Sequence, residues 1–374
     1  MRILSVVKYT AHVAIAAILL AGCSNGSSSF APSSAATSGH GLMNPPSLAV
    51  MPPTSIRPDH GTSWIDRKTM KKAYGTLWIS DYGTDDVYIY TLPSLNLTGT
   101  ITGFNAPQGM CTDKKGNVWI ANTGDEDVLE YSPEGEEISS LSDGYGYPVS
   151  CAVSKSGDLA VTDYSGFESS GSGQVLLYKN ASGTPTELSN SDQYYYYFAT
   201  FDSKGNLFVD GMNASGDFDL SECAKGATSC GTIAVTGGTI GFPGGLMVVP
   251  GRYSGSSGPT GPGSGPPICW DCIGLFDQRC GDSEATCLYK VSIKGSSATI
   301  GKPIEIDGYS GHPVCDMAQG VMLQSNDKIL GGGDYEYCGY TASTANTWTL
   351  PGGGWPIAYV DTGLDEPIGA AYVK

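Results

Sequence analysis

One pattern recurs along this chain at nearly equal spacing and limits the fold more than any other feature. In its clearest copy, 106–122, a strand follows a proline, a tight Lys-Gly-Asn turn comes next, and a second strand follows the turn. The pattern returns at 147–163 and 198–209. The turn glycines are spaced by 41, 41 and 48 residues: Gly75, Gly116, Gly157 and Gly205. A period near 40 residues with four short strands per unit is typical of β-propeller blades, so we predict an all-β fold.

The two ends of the chain carry complementary halves of this unit. Gly75 to Asp81 matches a second strand that has no first strand before it, and Glu366 to Lys374 matches a first strand with nothing after it. Pairing of these halves would close the ring and leave no open sheet edge. We therefore predict a six-bladed β-propeller closed by the C-terminal strand, and seven blades if the long fifth unit contains two. The predicted blades are 75–104 with 367–374, 106–145, 147–192, 194–240, 242–309 and 312–364.

The blades resemble NHL repeats, in which an apolar strand follows Pro, an Asp/Asn-Gly turn comes next, and a second strand ends in Ala-Asp or Ala-Asn. Pro107 to Asn122, followed by Val128 to Tyr131, is the best copy. The resemblance covers about three blades well and implies a propeller. NHL-type propellers include enzymes and interaction modules, so the resemblance does not give the function.

The N-terminus has the features of an export signal. The apolar stretch Val13 to Ala21 follows Arg2 and Lys8; it is too short to span a membrane, which takes about 20 residues, but it suits a signal core. The run Leu20 to Cys23 resembles the lipobox of bacterial lipoproteins, where the signal is cut before the Cys. This implies that Cys23 carries the lipid, palmitate included.

The lipobox, the composition after it and the repeats together divide the chain into three parts. We expect a signal peptide at 1–22, a lipid-anchored, disordered tether at 23–70 rich in Ser, Ala, Pro and Gly, and a propeller at 71–374. The propeller carries a Gly-, Pro- and Cys-rich insertion at 251–288. The protein would lie in the cell envelope, bound to a membrane. Ser24 after the lipidated Cys implies the outer membrane if the organism is Gram-negative.

Export places the remaining ten of eleven cysteines in an oxidising compartment, where an even number favours disulfide bonds. We expect Cys223 with Cys230 and Cys315 with Cys338 each to close one loop. Cys-x-x-Cys in the insertion leaves zinc as an alternative. The disulfide candidates are Cys111, Cys151, Cys223, Cys230, Cys269, Cys272, Cys280, Cys287, Cys315 and Cys338.

The formal net charge of −17 argues against nucleic acid, whose phosphates need a basic surface. Propeller topology instead predicts a binding surface at the face where the second strands end, which we call the top face. The opposite, bottom face receives the turn lysines. The top-face candidates for ligand binding are Asp81, Asn122, Asp163, Asp334, Tyr145, Tyr147, Tyr195 and Tyr309. A structural alternative is that each Asp or Asn caps its own turn and that the tyrosines pack between blades.

We expect a monomeric, non-catalytic binding module for an envelope protein, peptide or glycan, with no cofactor. The alternative is a metal-dependent hydrolase resembling lactonase-type propellers, with Asn122 and Asp163 as ligands of a divalent cation such as Ca²⁺ in the central channel. The Glu usual at the start of the first blade in that family has no counterpart. Streptogramin lyase chemistry would need a well-placed His, and His312 is the only candidate outside the tether. No Gly-x-Ser-x-Gly or His-Glu-x-x-His motif occurs in the mature chain expected from Cys23 onward.

Overall fold

Six sheets form the fold of the described part of the chain, which is shown by a computed structural model. The structure describes residues 62–142, 144, 146–166, 171–250, 271–280, 285–308, 314–323, 329–335, 343–350 and 352–374. Each sheet corresponds to one predicted blade, so the six-bladed propeller is confirmed and the described strands of the fifth unit form one sheet. No helix within these ranges is long and apolar enough to cross a membrane.

Blades 1 to 3 contain the first twelve strands. Blade 1 begins with β1 (Trp64–Ile65), the helix α1 (Arg67–Met70), β2 (Thr76–Asp81), β3 (Asp86–Thr91) and β4 (Asn96–Thr102). Blade 2 contains β5 (Pro107–Thr112), β6 (Val118–Asn122), β7 (Asp127–Tyr131) and β8 (Glu137–Ser142). Blade 3 contains β9 (Gly146–Val153), β10 (Leu159–Gly166), β11 (Ser172–Tyr178) and β12 (Thr186–Leu188). Two 3₁₀ helices lie at Thr123–Asp125 and Lys179–Ala181.

Blades 4 to 6 contain the remaining strands. Blade 4 contains β13 (Tyr195–Phe201), β14 (Leu207–Met212), β15 (Phe218–Cys223) and β16 (Gly231–Thr232). Blade 5 contains β17 (Ala234–Thr236), β18 (Pro243–Pro250), β19 (Asp271–Asp277), β20 (Cys287–Lys294), β21 (Ser297–Ile300) and β22 (Ile304–Glu305). Blade 6 contains β23 (Gly320–Met322), β24 (Ile329–Asp334), β25 (Thr344–Thr349) and β26 (Ala358–Val360), and the chain ends with β27 (Pro367–Val373).

The C-terminal strand β27 closes the ring as predicted. It pairs antiparallel with β2, from Thr76 opposite Val373 to Asp81 opposite Pro367, and so forms the inner edge of blade 1. The inner strands of neighbouring blades contact one another around the whole circle: β27, β5, β9, β13, β18, β23 and β27 again. Gly369 permits one of these close approaches, because a Cβ there would collide with Gln108 O of blade 2. All residues of β27 are buried.

The apolar core lies between the blades, because each face of a blade packs against the neighbouring blade. Between blades 1 and 2, for example, Trp78, Ile89 and Phe104 pack with Ile120 and Tyr131. The turns between first and second strands are fixed by their own side chains. In blade 2, Asp113 Oδ1 accepts hydrogen bonds from the N–H groups of Lys115 and Asn117, and blade 4 repeats this with Asp202.

The expected tether boundary at residue 70 is wrong, because residues 62–70 belong to the propeller. Trp64 and Ile65 add β1 to the outer edge of blade 1, and Ile65 packs against the core between blades 1 and 2. Asp66 caps α1, and Arg67 forms a 3.0 Å salt bridge with Glu136 of blade 2. Two strand residues are too few to give a recognisable alternation in the sequence.

The strand β1 also changes the expected direction of the chain. Because β1 runs antiparallel to β4, residue Ser63 lies beside Thr102, at the top-face end of β4. The sequence repeats begin at Gly75, at the start of a second strand, which predicts that the chain enters the fold at the bottom face and that the lysines of this face are turned toward the expected lipid anchor. The described chain instead begins at the top face, on the rim of blade 1.

Blade 5 differs from its predicted boundaries at its outer edge. Residues 234–240 were assigned to blade 4, but β17 pairs in parallel with β21 of blade 5. Most of the predicted insertion, 251–270 and 281–284, lies outside the described residues.

Among the described residues, six of the disulfide candidates form three bonds, and one of these bonds, Cys223–Cys230, was predicted as a pair. Cys111 and Cys151 connect the inner strands of blades 2 and 3, with Cα atoms 5.6 Å apart. Cys223 pairs with Cys230, and Cys280 pairs with Cys287. Cys315 is also disulfide-bonded, whereas Cys338 and Cys269, as well as the side chain of Cys272, lie outside the described part.

Deleting Pro367 to Lys374 is expected to abolish cooperative unfolding, because blade 1 would lose its inner strand and two strand edges would open. Thermal unfolding followed by near-UV circular dichroism measures this. The control is truncation through residue 66, which removes β1 from the outer edge of the same blade and leaves the ring closed. A deletion variant that melts like the full chain would disprove closure by β27.

Candidate functional site

The top face carries one carboxylate or amide at or near the end of the second strand in every blade. Sequence spacing predicted four of these residues as ligand-binding candidates. The full set is Asp81, Asn122, Asp163, Asp210, Asp277 and Asp334. Asp210 lies one residue closer to its turn glycine, Gly205, than the equivalent residues of blades 1 to 3 do. The insertion in blade 5 interrupts the repeat before Asp277, so the sequence spacing does not identify this residue.

Asp81 connects the two ends of the ring. Its Oδ2 accepts a hydrogen bond from Asp365 N at 2.8 Å, and its Oδ1 accepts one from Glu366 N at 2.9 Å. The N–H groups of Gly83 and Thr84 also donate to Oδ1, each at 3.1 Å. The side chain is fully buried, so both oxygens accept hydrogen bonds from backbone N–H groups and neither faces solvent.

Four other members of the set also accept hydrogen bonds from the backbone. In each case the donor is an N–H group in the inner strand of the same blade or in the segment that leads into it. The pairs are Asn105 N with Asn122 Oδ1 at 2.7 Å, Phe198 N with Asp210 Oδ1 at 2.8 Å, Phe242 N with Asp277 Oδ1 at 3.0 Å, and Cys315 N with Asp334 Oδ1 at 2.8 Å. Asp163 is also buried, and its Oδ2 accepts from Gln174 Nε2 at 3.4 Å.

Burial controls the ionisation of these carboxyl groups. Desolvation raises the pKa of Asp81, although the backbone N–H groups partly offset this by favouring the charged form. Desolvation raises the pKa of Asp210 and Asp334 well above the usual value. Asp210 Oδ2 has no hydrogen-bond partner among the described residues.

A cluster of aromatic side chains, which we call the tyrosine cluster, lies at the top of blades 3 to 5. Tyr164 stacks on Tyr195 with ring centroids 4.8 Å apart and planes at 23°. Tyr194 meets Tyr195 edge-on at 4.8 Å, and Tyr197 meets Tyr164 edge-on at 5.3 Å. Tyr197 also contacts Phe242 at 5.4 Å. Tyr164, Tyr194 and Tyr195 are half-buried, so each exposes part of its surface.

Backbone packing beneath the tyrosine cluster fixes its position. Tyr194 donates its N–H to Met212 O, and Gly173 N donates to Tyr194 O, so both neighbouring blades hold this residue. Gly211 lies directly under Tyr195, and a Cβ there would collide with Tyr195 O. At the other end of the cluster, the Arg279 guanidinium lies 5.8 Å from the centre of the Phe242 ring.

The structure brings together only some of the predicted residues. Tyr195 lies in the tyrosine cluster, and Tyr147 lies half-buried at the start of the inner strand of blade 3. Cys23, Tyr145, Tyr309 and His312 lie outside the described residues. Sequence reasoning missed Tyr164, although a signal existed. The residue directly after the top-face Asp is a tyrosine in three blades, namely Tyr82, Tyr164 and Tyr335.

The metal-ligand hypothesis finds no supporting geometry in the described part of the chain. No three His, Cys, Asp or Glu side chains lie there in positions that could hold one metal ion. Asn122 uses its amide to bond Asn105 N and Asp127 Oδ1, the latter at 2.9 Å.

Comparison with known proteins supports the fold. No protein-family model matches the sequence, and no curated protein matches it. A protein of unknown function from Bacteroides caccae has a similar structure, with a TM-score of 0.55 and 12% identity over 80% of this chain and 99% of that chain. TolB from Acinetobacter baumannii aligns with a TM-score of 0.48 and 10% identity, over 80% of this chain and 66% of that chain. At these identities the likeness to the Bacteroides protein concerns the fold alone.

Replacing Asp81 with Ala is expected to destabilise the fold by about 3 kcal/mol, because it leaves several buried N–H groups without an acceptor. Chemical denaturation measures the change in the free energy of unfolding. Asp361→Ala, at an exposed position, is the control and should change it by less than about 0.5 kcal/mol. An equal, small effect of both substitutions would contradict the structural role of Asp81.

The raised pKa of Asp210 predicts a pH-dependent effect of Asp210→Asn, which keeps the acceptor for Phe198 N. Because the folded-state pKa lies above the unfolded value, the wild type loses stability as pH rises from near 4, by about 1.4 kcal/mol per pKa unit. The variant does not. Its melting temperature relative to wild type should therefore increase between pH 4 and pH 8. A difference that stays constant or decreases would contradict this assignment.

Proposed function

We propose that this protein is a non-catalytic binding module of the cell envelope. It is attached to a membrane through a lipid on Cys23 and binds a protein or peptide with the tyrosine cluster on its top face. The observation that carries the proposal is the half-exposed group of Tyr164, Tyr194 and Tyr195, held in place by backbone contacts from two blades.

The chemistry of the tyrosine cluster favours a protein or peptide partner. Tyrosine and arginine are enriched at the centres of protein interfaces, where a rigid ring gives a large contact area at a low cost in conformational entropy. Tyr164 and Tyr195 already stack on each other, so little side-chain freedom remains to be lost on binding. At the edge of the cluster, the Arg279 guanidinium packs over the Phe242 ring and adds a planar, cationic group to the same surface.

The buried carboxylates do not compete for this role. Asp81, Asp210 and Asp277 are buried and accept hydrogen bonds from backbone N–H groups, so the surface available to a partner is formed by the ring faces and hydroxyl groups. Recognition would then depend on packing more than on charge, and binding should be only weakly sensitive to salt.

The proposal is tested by photo-cross-linking in intact cells with p-benzoylphenylalanine at Tyr194 on the top face or at Lys204 on the bottom face. Adducts with a protein are expected from position 194 and not from 204. In the protein that carries the cross-linker at position 194, the additional substitution Tyr164→Ala should reduce the yield of the adduct about tenfold or more, as expected for a central interface residue. Tyr74→Ala, which removes a tyrosine 80% exposed and outside the cluster, is the matched control and should not.

Three outcomes would contradict the proposal. Adducts from position 204 alone would assign binding to the other face. Carbohydrate adducts from position 194 would replace the protein partner by a glycan. Adducts from position 194 that are insensitive to Tyr164→Ala, in a variant with an unchanged melting temperature, would show that the tyrosine cluster does not bind.

A further inference from the structure

A pocket of about 290 Å³ opens on the bottom face between blades 2 and 3, far from the tyrosine cluster. Its walls are the turn at 113–117 of blade 2, the turn at 154–157 of blade 3 and the 3₁₀ helix after β11, and the buried indole of Trp119 contributes to its floor. The volume is close to the lower limit for small-molecule sites, about 300 Å³. The pocket can therefore hold one small group.

The walls of this pocket are fixed before any ligand binds. The disulfide Cys111–Cys151 joins the two strands that lead into the two turns. Asp113 Oδ1 holds the blade 2 turn through Lys115 N at 2.7 Å. Asp158 Oδ1 holds the 3₁₀ helix through Asn180 N at 2.9 Å. A rigid pocket of this kind loses little entropy when a ligand enters.

The carboxylates in the walls are already occupied. Glu130 accepts from Asn117 Nδ2 at 2.8 Å through Oε1 and from Ser139 Oγ at 2.7 Å through Oε2. Asp113 accepts from the backbone N–H groups of its own turn and from Asn117 Nδ2 through Oδ2 at 3.3 Å. These neutral donors fix both carboxylates in the walls, and among the described residues neither carboxylate forms a salt bridge with a lysine of the pocket.

The lysines around the mouth are, by contrast, not engaged. Lys114 and Lys115 line one side, Lys155 lies in the turn that forms the other, and all three are exposed. Among the described residues, none of them forms a salt bridge, and the ion pair found there joins Arg67 and Glu136. Each ammonium group has three donors that are hydrated in the free protein, and an acceptor-rich, negatively charged group can replace this water with charge-assisted hydrogen bonds.

We propose that this pocket binds an anionic group, a phosphate or a carboxylate, held by Lys114, Lys115 and Lys155. The same chemistry occurs in free phosphate, in an acidic sugar and in a phospholipid headgroup. The site is independent of the proposed function at the top face, because the two lie at opposite ends of the blades.

The test is equilibrium binding of inorganic phosphate and of D-glucuronate to the full chain at low ionic strength, by isothermal titration calorimetry. The pocket variant carries Lys114→Gln, Lys115→Gln and Lys155→Gln. The control carries Lys204→Gln, Lys225→Gln and Lys294→Gln, which removes the same charge from the bottom turns of blades 4 and 5. We expect the pocket variant to bind about tenfold more weakly or worse, and the control to change affinity less than about twofold.

Co-sedimentation with phosphatidylglycerol vesicles, compared with phosphatidylcholine vesicles, distinguishes the sources. Retention on the anionic vesicles that is lost only in the pocket variant identifies a headgroup, and binding of the soluble anions alone identifies a small ligand. Equal losses in the two triple variants would show a general effect of the charged face and overturn the proposal. Absence of binding to every probe would also overturn it.

Discussion

The pairing of β27 with β2 is the contact on which the rest of the propeller depends. It joins Thr76 to Val373, almost 300 positions apart in the sequence, and supplies the only strand that can contact both β5 and β23 within the described fold. Every other blade is built from neighbouring segments of chain. Blade 1 alone needs strands from both ends of the propeller sequence. Pairing β2 with β27 therefore closes a loop that contains most of the domain, and this closure costs conformational entropy.

The same closure explains the polar residues of the top face. A strand that enters the ring must turn from the rim to the centre, and its first N–H groups then lie in the interior without a sheet partner. Asp81 supplies the missing acceptors for Asp365 and Glu366, and Asp210, Asp277 and Asp334 supply them in other blades. These bonds offset part of the cost of burying each carboxyl group, and the remaining cost is the reason that the pKa of Asp81, Asp210 and Asp334 is raised. The residues that most resemble a binding site in the sequence therefore hold the ring together, and the tyrosines beside them form the accessible surface.

The sequence predicted the architecture because that part rests on repeated local patterns. The turn at Gly116, the strand after Pro107 and the unmatched half-unit at the C-terminus each had a local signal, and together they determined six blades and their closure. The disulfide between Cys111 and Cys151 joins the inner strands of adjacent blades, which the order of the repeats places side by side. The strand β1 had no such signal, since two residues cannot show a period, and the direction of the N-terminal chain was consequently mispredicted.

The candidate site was harder to predict, because function depends on contacts between blades. The sequence places Asp81 and Tyr82 side by side and cannot show which of them faces a backbone N–H group. The stacking of Tyr164 on Tyr195 joins two blades, and the collision that a side chain at Gly211 would cause is visible only in three dimensions. The lysine-rich pocket likewise forms between two turns that are some 40 residues apart.

Native-state amide hydrogen exchange tests the central claim that β27 closes the ring as part of one cooperative unit. The amides of Ala371 and Val373 should exchange with the same free energy as those in the second strands β6 and β10, that is, only by global unfolding. Exchange of the β27 amides through a local opening of much lower free energy, with the other blades still protected, would contradict the account.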